Sequence, residues 1–290
     1  MATLNLDTGE LNNKSIILEG NSPLNDTHKE ILKRFEVIYI SRDFNQSLGG
    51  LPSCIKAIRY NIYDEFYYKW NNAVNSSNHI NQLYNMHLVY KDFTFHQPLD
   101  NLHNGLEYLE LYGNKSKELR NLPASLKFLL IYWHCHINLE YLHESLEVLY
   151  LDYSRLTYQE QTHLPRGLKE LYLNGGVDCT IRGLPDGLKV LYLNGIYTIL
   201  DKFIELPTEL HTFIFYDSEW NKSNKRIISW LFKNKIMPKG LKKCIFPIHY
   251  SDIFIEMKKY ANDYITDDID WKFIDIYPDK IVDHIKKMYN

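Results

Sequence analysis

The chain has 290 residues, enough for one elongated domain or two compact ones, and an apolar share of 45% excludes wholesale disorder. A formal charge of −3 and a pI near 6.5 exclude whole-chain electrostatic attraction to nucleic acid. Cys54, Cys135, Cys179 and Cys244 lie far apart with no CxxC pair, which argues against a disulfide framework and for a reducing, cytoplasmic setting.

Residues 1–30 read as an N-terminal cap. Their opening, MATLNLDTGELNNKS, lacks the apolar centre of a signal peptide, and no run in the chain approaches the roughly 20 apolar residues that span a bilayer. SIILEG reads as a strand, and Thr27 to Arg34 as one short helix.

From residue 31 a phrase recurs: LPASLKFLLI, LPRGLKELYL, LPDGLKVLYL and LPTELHTFIF, with looser copies elsewhere. Taking the first residue of each copy as its anchor, anchors fall at Ile31, Leu51, His79, Leu102, Leu122, Leu142, Leu164, Leu184, Leu206 and Met237. Between Leu102 and Leu206 they are 20 or 22 residues apart. Counting residues past the anchor as slots, slots four, seven and nine are apolar in every copy, as in Leu168, Leu171 and Leu173. Slots seven and nine alternate with other residues at the period-two spacing of a strand with one buried face. A unit of about 20 residues cannot close its own core, so each strand must stack on the next. The expectation is a leucine-rich-repeat-like solenoid of about nine repeats over 31–216. A parallel sheet would line its concave face and short extended or 3-10 segments its convex face.

Phe44-Asn45-Gln46-Ser47-Leu48 and Phe95-His96-Gln97-Pro98-Leu99 precede the anchors Leu51 and Leu102 at one offset. The chain thereby resembles the FNIP repeat, a relative of the leucine-rich repeat found in social amoebae and in giant viruses of amoebae. In the other copies little of the tetrad survives beyond an apolar residue such as Leu119, Leu139, Ile181 or Phe203. The resemblance implies a protein-binding repeat array, with a host protein as partner if the chain is viral. Viral members often carry an N-terminal F-box that joins a cullin-type ubiquitin ligase. Only about 30 residues precede the first anchor here, and a substrate-receptor role is therefore the alternative expectation.

Slots six, eight and ten should face away from the leucines, into the concavity. They place Tyr39, Tyr108, Tyr112, Phe128, Tyr132, Tyr150, Tyr172, Tyr192 and Tyr216 there in ladders. Aromatic side chains on a rigid sheet offer large contact area at small entropic cost, which makes this face the expected partner-binding surface. The same stacking could equally serve only to join neighbouring strands.

Residues 217–290 are expected to form a helical C-terminal cap, with helices at 225–235, after Ser251 and after Pro278, and one last strand within 237–248. Lys222, Lys225, Arg226, Lys233, Lys235, Lys239, Lys242 and Lys243 make a basic stretch without acidic residues. It is a candidate anion site, for phosphates, a nucleic acid or an anionic membrane surface, or else a solvated face balanced by the acids of 263–275.

Trp133-His134-Cys135-His136 has metal-ligand residue types, yet it follows a repeat strand and no second cluster accompanies it. No Gly-rich phosphate loop, GxSxG or HExxH occurs. Neither metal, cofactor nor catalysis is expected, and the expected function is a non-enzymatic interaction scaffold.

Overall fold

A computed structural model describes residues 2–4, 15–20, 22–41, 44–60, 97, 99, 101–112, 120–132, 136–138, 141–152, 155–157, 164–174, 183–194, 206–216, 228–229, 231–234, 236–246, 248–262 and 269–273. The chain forms two compact units, Met1–Leu146 and Glu147–Asn290. Each is a stack of coils that contribute one strand apiece to a parallel sheet, the architecture of a repeat solenoid.

The first unit holds β1 (Ala2–Leu4), β2 (Ser15–Leu18), helix α1 (Asp26–Leu32), β3 (Val37–Ile40), β4 (Ala57–Tyr60), β5 (Tyr108–Tyr112), β6 (Phe128–Tyr132) and the short β7 (His136–Asn138). Strands β1 to β6 pair in sequence order, all parallel. The N-terminal stretch thus supplies two more rungs of the sheet, with Ile16 opposite Ile38 and Leu18 opposite Ile40. Asn25 caps α1 by accepting from the His28 N–H at 2.9 Å, while His28 Nδ1 accepts from the Asn25 N–H at 3.3 Å.

The second unit holds β8 (Val148–Asp152), the short β9 (Arg155–Thr157), β10 (Glu170–Asn174), β11 (Val190–Asn194), β12 (Thr212–Tyr216), β13 (Lys243–Phe246), a 3-10 turn at Ile248–Ile253, helix α2 (Phe254–Asn262) and β14 (Asp270–Phe273). β8, β10, β11, β12, β13 and β14 pair in that order, again all parallel. The strand expected within 237–248 is β13. β14 lies in a stretch read from sequence only as part of a helical cap. The helix expected after Ser251 is present as the 3-10 turn and α2; a helical turn occupies 231–233, and the helix expected after Pro278 lies outside the described residues.

The coil geometry follows from the repeated phrase. In each LPxxL turn the slot-four N–H bonds back to the slot-one carbonyl, as from Leu168 to Pro165 at 3.1 Å and Leu188 to Pro185 at 3.0 Å. The slot-five carbonyl of one coil then accepts from two N–H groups of the next; Glu107 O takes those of Lys127 and Phe128 at 2.9 and 3.0 Å. Just before the anchor, Gly50 and Asn121 adopt φ of 75° and 54°, the left-handed region that glycine and asparagine tolerate best. Ser125 and Ser145 in slot three donate to the slot-four carbonyls of the preceding coil, Leu106 O at 2.7 Å and Leu126 O at 3.2 Å.

The leucines of slots four, seven and nine form the core. Leu168, Leu171, Leu173, Leu188, Leu191 and Leu193 are all fully buried, as are Ile38, Ile58, Leu109, Leu129 and Leu149 in the same slots. Fully burying each such side chain contributes about 1.5–3 kcal/mol. Cys244 fills slot seven of its coil and is wholly buried, with its thiol pushed up in pKa by that burial. Cys54 is only half-buried. Short-pulse alkylation of the native protein, mapped by mass spectrometry, should label Cys54 well before Cys244. Equal labelling of the two would mean that slot seven is open to solvent.

The His79 copy was to add a rung between β4 and β5, yet these two pair directly, Ala57 with Tyr108 and Ile58 with Leu109. The Lys56 carbonyl already accepts from Glu107 and Tyr108 at 2.8 and 3.1 Å, so the position beside β4 is taken. Leu83, Met86 and Leu88 of that copy lie outside the described residues.

Candidate interaction surface

The ladder expected to line an open trough is closed to solvent. Tyr150, Tyr172 and Tyr192 are 1%, 1% and 0% exposed, and Tyr108 is fully buried. The strands put these residues on the face opposite the leucines, as their slots require. The correction concerns exposure, and stacking along the ladder contributes to it. In-register parallel strands bring the Tyr150 and Tyr172 rings to 6.4 Å and the Tyr172 and Tyr192 rings to 6.2 Å, so each ring shields one side of the next. The Tyr172 hydroxyl donates to Glu170 Oε2 at 2.5 Å. Asn174 Nδ2 donates to the Tyr150 hydroxyl at 3.3 Å, and Asn194 Nδ2 donates to Asn174 Oδ1. Burial, followed by the negative charge of Glu170, holds the Tyr172 phenol well above its ordinary range.

In the first unit the matching slots carry a polar chain. Arg59 and Glu110 occupy slot eight of the adjacent strands β4 and β5, and both are buried. The Arg59 guanidinium lies over the Tyr108 ring, 4.8 Å from its centroid, and Arg59 donates to the Tyr39 hydroxyl at 3.4 Å. The Tyr108 hydroxyl donates to Glu110 Oε2 at 3.3 Å. Burial first, and then the Glu110 charge, push the Tyr108 phenol well above its usual range, against an opposing pull from Arg59. The half-buried Phe128 stacks on Tyr108 with centroids 6.0 Å apart, and Tyr39 is half-buried too. Tyr112, Tyr132 and Tyr216 end their strands, and their side chains lie outside what is described.

Solvent-reaching polar side chains instead mark slot five, the residue just before each strand; Glu36, Lys169, Lys189 and Lys242 are exposed there and Lys56, Glu107, Lys127, Glu147 and His211 are half-buried. In the first unit this row reads Glu36, Lys56, Glu107 and Lys127, alternating in sign, with Lys127 Nζ 3.1 Å from Glu107 Oε2. In the second it reads Glu147, Lys169, Lys189, His211 and Lys242. Here Lys169 pairs with Glu147 at 2.6 Å, and the rest of the row is basic. Backbone bonds of 2.7, 3.1 and 2.9 Å link Lys169, Lys189, His211 and Lys242 in turn, so these four sit on consecutive rungs. His211 is held below its ordinary pKa by burial first, then by the charges of Lys189 and Lys242, with Glu170 acting in the opposite sense.

Of the basic stretch singled out in the sequence, Lys233, Lys239 and Lys242 are exposed and Lys243 is half-buried. Lys222, Lys225, Arg226 and Lys235 lie outside the described residues, as do His134 and Cys135. Lys189 and His211 were not singled out because a linear window cannot group residues 22 and 31 positions apart. Carrying the repeat register one slot further, to the residue before each strand, would have found the row.

Among the described residues no group of three or more His, Cys, Asp or Glu side chains could hold a metal, and no helix is long and apolar enough to cross a membrane. No protein-family model matches the chain, and no characterised protein matches it.

Proposed function

We propose that the chain is a non-enzymatic interaction scaffold of the FNIP, leucine-rich-repeat type, which holds a protein partner on side chains repeated from coil to coil. The single observation that carries this reading is the slot-five row: exposed or half-buried ionisable side chains recur at a fixed backbone position on successive rungs, beside a core of buried leucines in slots four, seven and nine. A rigid row of side chains at one repeat distance is what a solenoid offers to an extended partner. The FNIP likeness has local support. Phe44 and Leu48 of one five-residue segment and Leu99 of the other are buried, and Gln97 donates to the Asn45 carbonyl at 3.0 Å, joining the two segments. With the tyrosine ladder buried, partner contact is assigned to the row and to strand ends, and the ladder to holding the coils together.

The test is capture from amoebal cytoplasmic extract on the immobilised protein, then reconstitution of the retained protein in pure form. A complex of fixed stoichiometry by light scattering after size exclusion is the expected result. Retention of cullin-ligase subunits would select the substrate-receptor alternative. Failure of any retained protein to re-form a complex would end the scaffold reading.

A further inference from the structure

We propose that Lys189, His211 and Lys242, the slot-five row of the second unit, form a docking strip for an extended acidic peptide. The inference rests on the scaffold reading and names the chemistry of the partner.

The three residues stand on consecutive rungs, joined by the His211 N–H to Lys189 O bond at 3.1 Å and the Lys242 N–H to His211 O bond at 2.9 Å. Strands about 4.8 Å apart put Lys189 and Lys242 about 10 Å from one another across the sheet. An extended chain presents same-side side chains every ~6.6–7 Å, within reach of two flexible lysine stems. Both lysines are exposed, and the ion pairs described in this unit engage Lys169 and Lys272 instead. Among the described residues, five acids of this unit are occupied or stand off the row. Glu147 holds Lys169, Asp270 holds Lys272, and Glu170 accepts from Tyr172, while Asp186 and Glu209 sit in the turns before slot five. The row therefore carries surplus positive charge on a chain whose net charge is −3.

Single-stranded nucleic acid is the other anionic polymer to weigh. It is gripped by a basic groove together with exposed aromatic faces on which bases stack. Tyr150, Tyr172 and Tyr192, the rings of the adjoining strands, are at most 1% exposed and offer no such face. Carboxylates need only the lysines, so a peptide fits better.

His211 supplies an internal reporter. The groups acting on it are Lys189 and Lys242 from the flanking coils and Glu170 from β10, and Thr212 Oγ1 lies 3.0 Å from its Nδ1. Burial and the two lysines disfavour its charged form. Carboxylates bound between the lysines would offset that repulsion, so binding should take up a proton and tighten as pH falls from about 7.5 to about 5.5.

The probe is a fluorescein-labelled hexaglutamate peptide, read by anisotropy with the full chain at about 50 mM salt. Saturable binding is expected, weakened at least about tenfold in the Lys189→Glu/Lys242→Glu double variant. The control, Lys29→Glu/Lys33→Glu on α1, makes the same change in net charge and should leave affinity within about twofold. The His211 ring resonances should titrate at higher pH with peptide bound, and His211→Asn should flatten the pH dependence. No binding to folded protein, equal loss in both double variants, or tighter binding of a single-stranded oligonucleotide would overturn the assignment. If the peptide fails but the captured partner still binds the Lys189→Glu/Lys242→Glu variant, the strip falls and the scaffold stands. If neither the peptide nor the captured partner binds the parent chain, both fall.

Discussion

Changing Tyr150, Tyr172 and Tyr192 together to Ser is expected to unfold the second unit at room temperature. Were the ladder exposed, as its slots alone would lead one to expect, the same triple change would move the melting temperature by only a few degrees. The rings are at most 1% exposed and lie 6.2–6.4 Å apart, so each deletion empties a space walled by its neighbours. Truncating a buried aromatic costs about 3–5 kcal/mol, and three such losses rival a typical total stability of about 5–15 kcal/mol. Coupling between touching rings makes the sum inexact but leaves it on that scale. Tyr172→Phe separates ring from hydroxyl: it keeps the packing and removes only the donor to the Glu170 carboxylate, for about 1.5–3 kcal/mol. Urea unfolding followed by circular dichroism measures both. A triple variant that unfolds at the parent's urea midpoint would show that the rings carry no packing load.

The second large effect lies in the first unit. Glu110→Leu should destabilise by about 3–5 kcal/mol, because it leaves the Arg59 guanidinium buried without the opposite charge on the neighbouring strand. Arg59→Met should cost a similar amount, since it strands the Glu110 carboxylate and removes the cation over the Tyr108 ring. The double variant, Arg59→Met with Glu110→Leu, is expected to recover most of the loss, since it leaves neither buried charge behind in the two adjacent slots. Denaturant midpoints for the two singles and the double complete the cycle. Additive losses would mean that the two charges do not interact.

The two results bear on how the molecule is built. Both faces of the sheet in the second unit are packed, as in parallel sheets generally, and the aromatic or polar side chains opposite the leucines act as a second adhesive. Binding is then left to positions that the packing does not consume. That is why the slot-five row, at the edge where each turn enters its strand, is the surface on which to look for a partner.

Much of this was legible in the chain itself. Apolar residues at slots four, seven and nine determined the coil, the parallel rung and the burial of Leu168, Leu171 and Leu173, because a short unit with one apolar face has no other way to hide it. The same register put Cys244 in the core and one more strand within 237–248. Tertiary structure decided the rest. Leu83, Met86 and Leu88 satisfy the spacing, yet backbone pairing of β4 with β5 closed the place beside β4, since apolar period does not encode which rungs become neighbours. Alternation told which way Tyr150, Tyr172 and Tyr192 point, but exposure depends on what covers them, and that is set only when the coils come together. Lys189, His211 and Lys242 are scattered in sequence and become a row only when the coils stack.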